Sequence, residues 1–173
     1  MCTHKKSIVR TSINRRKREG LPLIEGVRKK MLIRHSDDRG FFQELLREDD
    51  PMFDRFGQAS FSMAYPGVIK AFHYHKLQDD IWYFPYGNAQ VVLHDLRPAS
   101  PTYRRTDVYY MGEHQQYLLF IPRGVAHGYR VLGERPAYLL YFTNVAYNPD
   151  HPDEYRIPFD DPSIGFDWTT RNR

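Results

Sequence analysis

The sequence predicts an all-β fold, a small jelly-roll barrel or sandwich with few short helical turns. Three observations predict it. The 173 residues include 13 Tyr, 11 Phe and 2 Trp beside 11 Gly and 12 Pro, a mixture of strand formers and turn formers. Short apolar runs recur with turn chemistry between them at a spacing of roughly 8–12 residues, as in sandwiches and closed barrels. No long segment keeps the 3.6-residue period of a helix. A chain of this length can bury one sizeable core.

The elements follow in order. LIEGVRKKMLIR (23–34) leads in, and SDDRG breaks it from GFFQELL (40–46). LREDDPMFDRFG (46–57) is expected to hold a short helical turn. Then come QASFSMAY, the YPG turn and VIKAFHYH (68–75), followed by IWYFPY (81–86), the YGN turn and AQVVLHDLR (89–97). RPASPT, MGEH, PRG and LGERP separate the remaining strands TDVYYM, QYLLFIP, HGYRVL and AYLLYFTNVAY (137–147). These breaks carry Gly, Pro, Asn and Asp, which supply the backbone angles that tight turns need.

Charge divides the chain in two. Residues 1–20 hold seven of the 25 Lys and Arg residues and one of the 21 acids, so the net charge of +4 comes from this segment. It reads as a basic, weakly ordered tail before one domain over 21–173. Nucleic-acid binding is not expected, because no stacking aromatics interleave the charges. A single cysteine, Cys2, excludes a disulfide framework and suits the cytoplasm. No membrane span or secretory signal core is expected.

The chemistry begins at GVIKAFHYHK (67–76). His73 and His75 stand two apart in a strand, so both imidazoles share a face, and Phe72 and Tyr74 take the other. Gly67, His73, His75, Asp79 and Gly87, with PRGVAH ending at His127, resemble the two motifs of the cupin family. That resemblance implies a cupin-type barrel. In its metal-binding members it would imply a site made of His73, His75, Asp79 and His127.

A second resemblance covers most of 36–168. Asp38-Arg39-Gly40-Phe41-Phe42 with Glu44, Gln58 with Ser60 and Ser62, GVIKAFHYH, Asp95-Leu96-Arg97, IPRGVAHGY, Tyr141, Tyr147-Asn148-Pro149 and IGFDW follow one another as in the dTDP-4-dehydrorhamnose 3,5-epimerase family. This resemblance implies an isomerase without a cofactor or metal, acting on a nucleoside-diphosphate 4-keto-6-deoxyhexose. A base removes a C–H proton beside the ketone and an acid returns one to the opposite face. His73 would be the base and Tyr141 the acid. Arg39 would contact the diphosphate, Phe41 and Glu44 would lie near the nucleoside, and Gln58, Ser60, Lys70, His75, His127 and Tyr147 would line the pocket. It also implies a homodimer in which residues about 22–45 form the interface and Arg39 serves the neighbouring site. Bland readings stand beside these: Arg39 as a turn residue with a surface ion pair, Tyr141 as an inward aromatic, His127 as a structural histidine.

The sequence also departs from the family. The Asp expected beyond the tryptophan to pair with the base has no counterpart after Trp168, Val91 stands at an interior Asp position, and the family's lysine aligns within Gln78-Asp79-Asp80. Lys76 or a protonated His75 is left to supply the positive charge. The His73/His75 pair also resembles sugar 3,4-ketoisomerases, which shuttle protons with two histidines. A metal-dependent cupin and a sugar-nucleotide binding module without turnover complete the alternatives.

Overall fold

The computed structural model describes residues 23–52 and 54–170, so the basic segment 1–20 lies outside the described residues. These form twelve strands and no helix: β1 (Arg28–Met31), β2 (Arg34–Asp37), β3 (Gly40–Gln43), β4 (Gln58–Ala64), β5 (Ile69–Tyr74), β6 (Asp80–Tyr86), β7 (Asn88–Asp95), β8 (Thr106–Gly112), β9 (Tyr117–Ile121), β10 (Val125–Leu132), β11 (Ala137–Thr143) and β12 (Tyr155–Arg156). No helix among the described residues is long and apolar enough to cross a membrane.

Two five-stranded sheets, ordered β1-β9-β6-β11-β4 and β12-β5-β10-β7-β8, pack face to face, with β2 and β3 as a separate hairpin. Every pairing is antiparallel. Between the sheets, Trp82, Phe84, Leu119, Ile121 and Leu139 of the first meet Val91, Leu93, Val125, Tyr129 and Val131 of the second. Each sheet also buries its outer face. Ile81, Tyr83, Leu118 and Phe120 lie under Met52, Leu45 and Leu46, and Phe72, Val92 and Ala126 lie under Ile164, Phe166 and Trp168. Burial on both faces explains why β9 reads as an unbroken apolar run, YLLFI, rather than as an alternation.

The structure differs from the expected elements at three places. Among the described residues of 46–57, turns occur at 48–49 and 51–52, and no helical turn forms. The expected break at SDDRG contains strand: β2 runs to Asp37 and pairs with Gly40, leaving a two-residue hairpin loop. β12 was not anticipated. It pairs with the outer edge of β5, opposing Arg156 to His73, and Phe72 and Ile157 exchange N–H···O bonds of 2.8 and 2.9 Å just beyond it. An unpaired edge needs such a partner.

A bulge in β5 shapes the cavity wall. His127 of β10 pairs with His73, but Tyr129 pairs with Lys70, so Ala71 and Phe72 together oppose Gly128. The extra residue sets Lys70 and His73, three apart, on the same side of the sheet, where a regular strand would set them on opposite sides. The bulge needs Gly128, since a Cβ there would stand 2.3 Å from Ala71 Cβ. Gly128→Ala is therefore expected to destabilise the fold by about 3 kcal/mol through overpacking. A lowered urea midpoint checks this, and an unchanged midpoint would show that the two strands separate freely.

Candidate active site

A cavity of about 1320 Å³ opens between the sheets beside β5 and β11. That volume exceeds the usual range for small-ligand pockets and accommodates an extended ligand such as a nucleoside diphosphate joined to a sugar. His73 and His75 line it from the second sheet, Asp80, Trp82 and Tyr141 from the first. The period-two expectation therefore holds: the two histidines face inward, while Phe72 and Tyr74 pack on the outer face.

The histidines form a cluster with one carboxylate. One donor atom from each of His73, His75, Asp80 and His127 lies within 4.8 Å of the others. The ring centroid of His73 stands 4.2 Å from that of His127 and 5.3 Å from that of His75. The carboxylate is Asp80, not Asp79, which corrects the metal-binding set read from the sequence. The reason is strand parity: Trp82 and Phe84 point inward and Ile81 and Tyr83 outward, so Asp80 points inward as the first residue of β6. Asp79 turns away into a buried clamp. Its carboxylate accepts from the Arg123 guanidinium at 2.7 and 3.1 Å, from Arg123 N at 2.8 Å and from Asn144 Nδ2 at 3.0 Å.

Two of the three histidines are pinned. His127 Nδ1 donates to Val125 O at 2.9 Å, and His75 Nδ1 donates to Asp153 O. Gln78 Nε2 donates to Asp80 Oδ1 at 2.8 Å and approaches His75 Nε2 at 3.3 Å. Asp153 also fixes the loop behind His75, its carboxylate accepting the backbone N–H groups of Lys76, Leu77 and Gln78. The His73 ring, by contrast, touches the rings of His75, Trp82 and His127, and no hydrogen bond holds it among the described residues.

The electrostatics follow from burial and neighbours. Burial, then the adjacent His127 ring, pushes the His73 imidazole well below its usual range, against the pull of Asp80. Burial opposes charge on Asp80, but the hydrogen bond and charge of His127, followed by His75 and Gln78, hold its carboxyl down at about 2.

The other expected site residues divide into two groups. Gln58, Lys70 and Tyr147 line the cavity with Ser62; Ser60 sits beside Gln58, accepting its amide at 2.8 Å, and pairs with Tyr141 across the β4–β11 ladder. His127 lies beneath the floor and is 2% exposed. Arg39, Phe41 and Glu44 are remote from the cavity of their own chain. Arg39 pairs with Asp37 at 2.5 Å on the hairpin, Arg34 covers Phe41, and Glu44 meets Arg47 at 3.4 Å. Lys76, expected as a source of charge, lies over the Tyr155 ring instead, outside the cavity lining. Asp80, Asp153 and Arg156 were missed. The parity of IWYF gave a usable signal for Asp80; the other two sit in a segment with no strand pattern.

Fold and site together define a double-sheet jelly roll whose interior cavity is lined by histidine, tyrosine and carboxylate, the equipment of proton-transfer chemistry. The family model described as dTDP-4-dehydrorhamnose 3,5-epimerase matches residues 23–173, and the chain belongs to that family of carbohydrate epimerases. It is 64% identical over 151 residues to the spore coat polysaccharide biosynthesis protein SpsL of Bacillus subtilis (strain 168), covering 87% of this chain and 100% of that protein. It is 36% identical over 151 residues to a probable low-salt glycan biosynthesis epimerase, Agl13, of Haloferax volcanii, covering 86% of this chain and 96% of that one. A solved dTDP sugar isomerase from Desulfovibrio desulfuricans G20 is similar at a TM-score of 0.79 and 31% identity, over 86% of this chain and 94% of the other.

Proposed function

We propose that this epimerase inverts C3, C5 or both in a nucleoside-diphosphate 4-keto-6-deoxyhexose destined for a surface polysaccharide. His73 acts as the base and Tyr141 as the acid. The observation that carries this reading is that the two side chains line opposite sheets of one cavity, so that a sugar ring held between them meets a group on each face. The C4 ketone acidifies the neighbouring C–H bonds by delocalising the carbanion as an enolate.

Binding groups surround this pair. Lys70 and Arg156 are the cations of the cavity lining and suit the diphosphate; Tyr147 and Phe159 offer flat apolar surface to a nucleoside base. Gln58 and Ser60 suit sugar or nucleoside hydroxyls, and His127 holds the floor from below. His75 has both ring nitrogens engaged, which favours the epimerase reading over a two-histidine ketoisomerase. The test is incubation with dTDP-4-keto-6-deoxyglucose, borohydride reduction and sugar analysis. Deoxyhexoses epimeric at C3 or C5 are expected. Recovery of 6-deoxyglucose and 6-deoxygalactose alone would contradict the reading.

The enzyme works, in this reading, as a cytoplasmic homodimer. Support comes from exposed apolar residues on the hairpin and the edge strand, with Ile33, Phe41, Phe42 and Phe61 each more than half exposed. Arg39, Phe41 and Glu44, remote from their own cavity, would serve the cavity of the other copy. Light scattering is expected to give twice the chain mass, and co-refolded His73→Asn and Arg39→Ala chains are expected to regain part of the activity. A monomeric mass, or a dimer without complementation, would contradict the shared site.

A further inference from the structure

One side chain reaches across the two sheets and ends in an unpaired hydroxyl. Tyr129 of β10 opposes Lys70 in the β5 ladder and points into the core between the sheets. Its ring stands edge-on to Trp82 and Phe84 of β6, with centroids 5.8 and 5.2 Å away. Trp82 pairs with Tyr141 in β11, and Tyr141 pairs with Ser60 in β4, two residues before Ser62. Tyr129 therefore leaves the second sheet and arrives at the first beside Tyr141, which packs on the same core cluster. The residue is 2% exposed, and its hydroxyl is buried without a hydrogen-bond partner among the described residues. A buried hydroxyl left unpaired is costly, so its presence calls for a reason. Burial pushes the phenol above its ordinary range; the nearby Ser62 hydroxyl pulls it down and Tyr141 adds to the rise, so it keeps its proton and stays a donor.

We infer that Tyr129 is a positioning residue for the acid: its hydroxyl donates to the Tyr141 oxygen as that oxygen becomes anionic. The inference rests on the epimerase reading, in which Tyr141 gives its proton to the enolate carbon. In that step the Tyr141 O–H bond breaks, the enolate electron pair forms the new C–H bond, and the negative charge passes to the Tyr141 oxygen. A phenolate formed between two sheets needs a donor, because a buried charge without one is expensive. Other donors nearby are committed: Trp82 Nε1–H donates to Asp80 at 3.1 Å, and Lys70 Nζ donates to Met63 O at 3.2 Å. Tyr129 is uncommitted. Its hydroxyl is covered, so it meets no sugar atom and acts through Tyr141. A donor unpaired in the resting enzyme gains its partner only as charge develops, so it favours the transition state over the bound substrate.

The test is Tyr129→Phe with dTDP-4-keto-6-deoxyglucose in heavy water, C–H exchange and inversion being read separately by NMR. His73 can take a proton and return deuterium to the same face, so exchange does not need Tyr141, whereas inversion does. Inversion is expected to fall about 10- to 100-fold, the weight of one hydrogen bond to a charged group. Exchange and KM are expected to stay within about threefold of wild type, since the hydroxyl touches neither the base nor the substrate. The urea midpoint should not fall, because the hydroxyl removed has no partner in the resting enzyme. Exchange and inversion lost in parallel would make Tyr129 a packing residue and overturn the inference. A raised KM with kcat unchanged, a lowered urea midpoint or a misfolded variant would overturn it too, each giving the hydroxyl a different partner. Inversion at the wild-type rate in the folded variant would overturn it and leave the epimerase reading intact. Wild-type enzyme that neither exchanges nor inverts would remove that reading and this inference with it.

Discussion

His73→Asn is expected to lower exchange of the substrate's C–H protons with solvent by about 10²- to 10⁴-fold, the usual contribution of a positioned general base. Binding of the nucleotide sugar should change little. The ring is half-buried, touches three other rings, and anchors no backbone or side-chain polar group among the described residues. Its replacement by the smaller amide therefore removes a proton acceptor without releasing a structural tie. Calorimetric titration with the diphosphonucleoside and isotope exchange in heavy water separate the two effects. Exchange at the wild-type rate would remove His73 from catalysis, and loss of binding in step with exchange would reduce it to a packing residue.

The second large effect concerns stability. Asp95, at the end of β7, is 0% exposed and gathers Arg97 Nε at 2.8 Å, Arg97 Nη2 at 2.9 Å, Ser100 Oγ at 2.6 Å and Thr102 Oγ1 at 2.6 Å. Arg97 in turn donates to Glu25 O at 2.6 Å, tying the lead-in segment to the sandwich. Gly124 passes so close that a Cβ would stand 2.6 Å from Arg97 Cγ, at a φ of +78° that also favours glycine. Asp95→Asn should cost about 3 kcal/mol at neutral pH, since it strips the charge from a buried pair and leaves the guanidinium unmatched.

The same residue sets an acid dependence. Burial opposes ionisation of Asp95, but Arg97, Ser100 and Thr102 outweigh it and depress the carboxyl below its ordinary range. A depressed folded-state pKa contributes stability that is fully present above the unfolded value of about 3.9 and is lost as the pH falls below it. The gap between wild type and Asp95→Asn should therefore be widest at pH 7 and shrink toward pH 3. Urea unfolding across that range checks it; a gap independent of pH would mean that the hydroxyl and amide geometry, not the charge, carries the stabilisation.

Much of this was legible in the chain because it is written as local pattern. Period-two spacing put His73 and His75 on one face, and turn residues such as Gly67 and Gly124 marked strand ends. What was hidden depends on contacts distant in sequence. Asp79 and Asp80 are adjacent and chemically alike, and only the inward parity of Trp82 decides which joins the histidines. Lys70 shares a side with His73 because β5 bulges opposite Gly128, a tertiary event with no signature in IKAFHY. Arg156 and Asp153 lie in a segment with no alternation, ordered by the free edge of β5 and by the loop behind His75. The resemblance carried Tyr141 and Gln58 to the cavity, but it gave Arg39, Phe41 and Glu44 roles that their own chain's cavity does not fill.

The central claim is that a proton is removed and returned beside the sugar ketone in this cavity. Proton and carbon NMR of a nucleoside-diphosphate 4-keto-6-deoxyhexose incubated with the wild-type enzyme in heavy water tests it most directly. The account predicts deuterium at C3, C5 or both, with inverted configuration at the labelled carbon and the ketone still at C4. Bound but unlabelled sugar, or deuterium accompanied by migration of the ketone to C3, would contradict it.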